Sequence, residues 1–166
     1  ICVCSCVCSA MVGCRYGSHC DKGTIRDSME DRIVLHQRNT LKDDTLCYLY
    51  GICDGHGGDK AAEYIQNNFH KTLFSLDKLL TKSPMKALRR AFTVTDEALL
   101  NHLERVFPDS AHIDQSGTTA CFFVSIGSKF FLAHVGDSVA ILSERGKVFI
   151  LKYYYSYILV INNCEY

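Results

Sequence analysis

The sequence predicts an α+β fold, on three observations. Short apolar, β-prone runs occupy both ends of the 166-residue chain. Between them, from Gly58 to Val106, the apolar spacing lengthens to a helical period. The turn dipeptides of the C-terminal third then fall at hairpin spacing, which calls for antiparallel pairing and not for the regular alternation of a doubly wound sheet.

Taken in order, "ICVCSCVCSAMVGCRYG" alternates and reads as a first strand carrying a Cys-rich N-terminal extension over residues 1–10. As a strand it sets Cys2, Cys4, Cys6 and Cys8 on one face. Zinc sites instead take cysteines in pairs two to four residues apart around a turn, a spacing this run lacks. "RIVLHQ" (32–37) and "LCYLYGIC" (46–53) read as strands joined by a polar loop with Asp43 and Asp44. Ala61, Ile65, Phe69 and Leu73 repeat every four residues and form the stripe of one helix. A second helix opens at Ser83-Pro84, with Ser as N-cap and Pro at the first helical position. Its stripe runs Leu88, Phe92, Leu99, Leu103 and Val106, and Pro108 stops it. From Thr118 to Leu151 come three or four short strands, parted by Gly127-Ser128, Gly136-Asp137 and Arg145-Gly146. The tail from 151 to 166 differs in kind: it holds five of the nine tyrosines and no charge between Lys152 and Glu165. A β-prone, uncharged tail of this sort aggregates unless covered. The chain thus divides into an extension (1–10), a domain (11–150) and an apolar tail (151–166).

With 48% hydrophobic and 22% charged residues, the composition is that of a soluble globular domain, and the length suits one domain with a real core. Lys+Arg and Asp+Glu both number 18, so no basic excess draws nucleic acid or an anionic membrane. Six of ten cysteines crowd the first 20 residues, while Cys47, Cys53 and Cys121 sit in apolar runs as small core residues. That spread points to a reducing, intracellular setting, cytoplasmic or nuclear. Residues 1–14 are uncharged but fall short of the ~20 needed to span a bilayer. They also lack the basic start of a signal peptide, and the chain begins with Ile1 instead of Met.

The acids sit where chemistry can use them. "RDSMEDR" places Glu30 and Asp31 at the mouth of a strand, with Arg26 four residues before Glu30. Asp54 ends a second apolar strand, and Asp137 occupies the turn "VGDS" after a third. Carboxylates from three strand ends form the oxygen-rich site that Mg²⁺ and Mn²⁺ prefer. Two such ions hold a water in line with phosphorus and neutralise the developing charge. The planar fork of Arg26 suits phosphate oxygens. His56 can protonate a leaving alkoxide. Gly55 lets a backbone carbonyl approach a cation, and Gly57 and Gly58 permit a sharp turn from strand into helix. "SGTTA" (116–120) admits a close strand neighbour, and no base accompanies Ser116. Taken singly, "DG" and "GDS" are ordinary turns.

Four motifs in order, "RDSMED" (26–31), "DGHGG" (54–58), "SGTTA" and "VGDS" (135–138), resemble the PP2C, or PPM, family of metal-dependent serine/threonine protein phosphatases. The resemblance covers roughly residues 11–150 and implies a partial PP2C-like sandwich of antiparallel sheets flanked by helices. It implies Mg²⁺ or Mn²⁺, two per complete site, and phosphoserine or phosphothreonine proteins as substrates. By motif, Asp54 resembles the acid bridging both metals and Gly55 the carbonyl ligand. Glu30 resembles a metal-binding carboxylate, Asp31 an acid acting near it, and Asp137 an acid of an additional, weaker metal. Arg26 resembles the phosphate-binding arginine and His56 the general acid.

The pattern departs from the family at its end. The family carries two more metal-binding aspartates in its later half, and here no Asp follows Asp137. "FILKYYYSYILVINNCEY" stands where "D-H-x-P" belongs, and Val139 replaces a common arginine. The expectation is a truncated, inactive form of the enzyme. The alternative is a catalytically dead pseudophosphatase that binds or regulates phosphoproteins. Truncated sheets would also expose strand edges and favour self-association.

Overall fold

The computed structural model describes residues 2–9, 13–39, 44–108, 114–151 and 157–161. Eleven strands and three helices are found there, in the α+β order the sequence predicts. The strands are β1 (Cys2–Ser9), β2 (Gly13–Cys20), β3 (Arg32–Asn39), β4 (Leu46–Cys53) and β5 (Gly55–His56). After the helices α1 (Lys60–Ser75), α2 (Asp77–Lys82) and α3 (Pro84–Val106) come β6 (Gly117–Thr118), β7 (Ala120–Ile126) and β8 (Lys129–Val135). Then follow β9 (Ala140–Glu144), β10 (Lys147–Leu151) and β11 (Tyr157–Ile161).

The centre is a five-stranded antiparallel sheet in the order β11-β8-β7-β4-β3. Alternation splits β4 between two environments. Cys47, Leu49 and Cys53 are buried in the core cluster that also holds Ile65, Phe69, Leu73 and Leu88 of the helices. Phe69 ties the layers together, its ring 4.4 Å from Phe122 on β7 and 4.9 Å from Phe92 on α3. Tyr48 and Tyr50 point to the other face. There Tyr50 meets Tyr16 of β2 at 5.0 Å, so the β1–β2 hairpin covers the sheet opposite the helices.

Three departures from the sequence reading have physical causes. The first strand is in fact a hairpin, because Cys2–Ser9 pairs along its whole length with Gly13–Cys20. A run of small alternating residues carries no signal of where it turns. The helical region holds a third short helix, α2, whose six residues are too few to show a period. Val106, placed on the apolar stripe of α3, is the last residue of the helix and 51% exposed. Ser83 holds the N-cap position before Pro84 but its side chain makes no cap bond, and the helix ends two residues before Pro108.

Cys47, Cys53 and Cys121 are buried, as small core residues. Burial, then Asp77, pushes the Cys47 thiol up to about 12. Burial, then Cys121, does the same to Cys53, again to about 12. Neither is a nucleophile at neutral pH. Cys20 departs from this pattern and is disulfide-bonded. Among the described residues no helix is long and apolar enough to cross a membrane. Asp43 and most of the tyrosine tail lie outside the described residues, as do the side chains of the N-terminal cysteine row.

Candidate active site

Strand register brings the acids together. Arg32 on β3 lies opposite Cys53 on β4, so Asp31 and Asp54, the next residues outward, meet at one end of the sheet. Ala120 on β7 lies opposite Val135 on β8, which sets Thr119 beside the bend at Gly136 and Asp137. The bridge between β5 and β6 pairs Gly55 with Thr118 and His56 with Gly117, closing the corner.

Thr119 is the hub of this corner. Its N–H donates to the Asp54 carbonyl at 2.9 Å, and its Oγ1 accepts from the Asp54 N–H at 3.1 Å. The same Oγ1 bonds the Ser138 hydroxyl at 2.6 Å. Buried His134 donates from Nε2 to the Ser138 carbonyl at 3.0 Å. The backbone of Asp54 is thereby tied to the turn that carries Asp137.

Arg26, Glu30, Asp31, Asp54 and Gly55 all line one open cleft of about 690 Å³. The loop after β2 forms part of its lining and carries hydrogen bonds of its own. Asp21 Oδ1 accepts from the Gly23 N–H at 2.7 Å, and Lys22 Nζ donates to the Asp27 carbonyl at 3.3 Å. His56 and Asp137 do not line the cleft, yet both act on Asp54. Desolvation raises the Asp54 pKa first, followed by the Asp31 carboxylate, with which it shares a side-chain hydrogen bond, and then by Asp137. His56 opposes them. Three acids thus concentrate negative charge at one strand end.

The glycines are explained by their neighbours. A Cβ on Gly55 would collide with the Glu30 carbonyl oxygen and approach its carbon to 3.1 Å, so the Glu30 corner presses directly on this backbone. Gly57 and Gly58, at φ +69° and +132°, make the turn into α1. Gly117 leaves room for the His56 ring, whose Cε1 would lie 2.9 Å from a Cβ there.

Five supporting residues escape a reading of the acids alone. Thr119 and Ser138 lie inside recognised motifs. Ser116, read as part of a close strand, accepts from the Ala61 N–H at 3.1 Å and satisfies the first turn of α1. Asp59, the residue at the N-cap position, makes no such bond. Asp59 instead receives Arg32 Nη2 at 2.8 Å. A cation directly after "MED" and an anion directly after "GHGG" were the available signal.

The family profile described as Protein phosphatase 2C matches residues 15–153. "Probable protein phosphatase 2C 55" of Oryza sativa subsp. japonica is 35% identical over 122 residues, covering 74% of this chain and 30% of that protein. "Probable protein phosphatase 2C 28" of Arabidopsis thaliana is 37% identical over 134 residues, covering 80% of this chain and 36% of that protein. Among solved structures, the serine-threonine phosphatase 2C from Toxoplasma gondii aligns with a TM-score of 0.61 at 20% identity. It covers 77% of this chain and 46% of that one. A C. elegans sex determining protein aligns at 0.63 and 17% identity, covering 92% of this chain and 34% of that one, a likeness of fold. The chain belongs to the protein phosphatase 2C family. It spans roughly a third of the length of these curated relatives.

The family implies Mg²⁺ or Mn²⁺, and the donors present suit a hydrated ion. Among the described residues, no three His, Cys, Asp or Glu side chains converge to enclose a metal. What the cleft offers is the touching pair Asp31 and Asp54, with further negative charge from Asp137. Mg²⁺ binds through one or two carboxylates and keeps several waters, and a cation offsets both the desolvation and, after it, the neighbouring acids that raise the Asp54 pKa. The donor set fits.

Proposed function

We propose that this chain supplies the N-terminal portion of the catalytic domain, from Arg26 to Asp137, of a metal-dependent protein serine/threonine phosphatase acting on phosphoserine and phosphothreonine proteins. The observation carrying the proposal is the Asp31–Asp54 pair at the base of the cleft that Arg26 also lines. Arg26 would take two phosphate oxygens with its fork and orient the phosphoryl group. Glu30, Asp31, Asp54 and the Gly55 backbone would hold Mg²⁺ or Mn²⁺, with Asp137 serving a further, weaker ion. Such a cation, when bound, neutralises phosphoryl charge and acidifies adjacent water. As water oxygen bonds to phosphorus, the bond from phosphorus to the Ser or Thr oxygen breaks. That oxygen takes a proton, for which His56, acting beside Asp54 though outside the cleft lining, would be the donor. The experiment is hydrolysis of a phosphothreonine peptide by the whole chain with and without Mn²⁺, beside Asp54→Asn. No turnover from folded chain agrees with the expected inactive form. Mn²⁺-dependent turnover lost in Asp54→Asn would show instead that the site is complete in this chain, and turnover that survives Asp54→Asn overturns the proposal.

A second reading, a catalytically dead phosphoprotein-binding module, is favoured by Arg26 alone, whose place in the open cleft lets it bind phosphate without any turnover. It requires phosphopeptide binding without hydrolysis, weakened by Arg26→Ala. Loss of binding in Arg26→Ala with turnover absent throughout would select it over the first.

A further inference from the structure

We propose that Arg32, anchored by Asp59, is a positioning residue that sets the Glu30–Asp31 corner against Asp54, a role that rests on reading this corner as part of a cation site. Arg32 Nη1 donates to the carbonyls of Met29 at 2.7 Å and Asp31 at 3.0 Å. Those two carbonyls bracket Glu30, so one guanidinium nitrogen grips the backbone on both sides of it. Nη2 reaches in the other direction and donates to Asp59 Oδ2 at 2.8 Å. The planar fork makes all three bonds at fixed mutual angles, which a lysine ammonium on its flexible stem does not reproduce.

The clasp has a direct mechanical consequence. The Glu30 carbonyl already presses on Gly55, with no space between them for a methyl group. A shift of the Glu30 backbone is therefore passed straight to the residue after Asp54. The far anchor is fixed too, because Asp59 sits at the start of α1 and also pairs with Lys60 at 3.5 Å. Arg32 and Asp59 are 21% and 37% exposed and neither lines the cleft, so their effect on a bound cation runs through the position of other groups. Arginine is suited to the task because it is always charged and weakly hydrated enough to sit half-buried.

The test reads Mn²⁺ affinity of the whole chain by electron paramagnetic resonance, beside thermal unfolding without Mn²⁺. Replacement of a group that orients metal-binding residues typically costs 10–100-fold in affinity. Arg32→Lys should weaken Mn²⁺ binding about tenfold while the metal-free melting midpoint moves by only a few degrees. Asp59→Asn, a gentler change, should weaken it by a smaller factor. The double variant should bind no worse than Arg32→Lys alone, since the pair acts as one device. Unchanged affinity in Arg32→Lys, or additive losses in the double variant, would overturn the clasp while leaving the cation site intact. A wild-type chain that takes up no Mn²⁺ would overturn the cation-site reading and the clasp together.

Discussion

At Gly55 the chain has space for a hydrogen and nothing more. The two nearest atoms opposing a methyl there belong to the Glu30 backbone, which cannot swing aside as a side-chain tip would. Gly55→Ala should therefore cost about 1–3 kcal/mol, the usual scale of overpacking, read as a lower urea midpoint with an unchanged slope. A wild-type midpoint would show that the Glu30 corner yields freely. Thr119 is a second sensitive position. Thr119→Val keeps the shape but strands the Asp54 N–H and the Ser138 hydroxyl. One unmet buried group costs about 1–3 kcal/mol. Thr119→Ser, which restores the hydroxyl, should recover most of the loss in the same unfolding assay; equal losses in both would assign the effect to the missing methyl packing.

Single elements show what patterning reveals and what it hides. The stripe Ala61, Ile65, Phe69 and Leu73 was legible because a strand would put polar Glu63, Asn67 and Lys71 on the same face, whereas a helix turns them away, and all four apolar residues are buried. Strands β7 to β10 were legible from their turn dipeptides. The short helix α2 was not, and the cap of α1 was hidden because Ser116 comes from 55 residues away. Ser116→Ala should cost about 0.5–2 kcal/mol, the range for lost caps, with faster amide exchange at Ala61; an unchanged exchange rate would mean water replaces the hydroxyl. Another hidden pairing joins β3 to α1. The rings of His36 and His70 stack at 3.5 Å, and His70 Nδ1 is buried without a hydrogen-bond partner. Burial, then His36 and Lys71, pushes the His70 pKa down to about 4. Burial, against a Gln66 backbone bond and helped by Lys71, also lowers His36. A histidine with a lowered folded pKa binds its proton first in the unfolded chain. Stability should then fall as pH drops from about 6.5, the unfolded value, and level off below the folded pKa near 4. Chemical denaturation at stepped pH measures this, and His70→Phe should flatten the slope; an unaltered slope would place the proton uptake elsewhere.

For the molecule as a whole, a neutral net charge and an α+β order were readable from composition and period, and the family from four motifs. The layering was not, because nothing local in "ICVCSCVCS" tells that it folds back on β2 and that the pair covers the tyrosine face of the sheet. Local pattern was equally silent on where the last hairpin goes. β9 and β10 pair with each other and join no larger sheet among the described residues. Register sets Ile141 opposite Ile150 and Ser143 opposite Val148, so one face of this ribbon gathers Ile141, Ile150 and Val148. These are 65%, 68% and 67% exposed. Three β-branched side chains on a two-stranded ribbon are a surface that associates when the concentration allows. Among the described residues, the outer strands β3 and β11 of the main sheet are the competing route. Sedimentation velocity of the whole chain over a concentration series should show self-association. Replacing the facing pair by opposite charges, Ile141→Lys with Ile150→Glu, preserves a favourable cross-strand contact while removing the apolar face. That variant should sediment as a monomer at concentrations where the unaltered chain does not. Association that persists in it would move the contact to the sheet edges, where Val34→Lys would be buried and useless as a probe. Exposed Gln37→Pro, which removes a donor from edge strand β3, would then be the informative change.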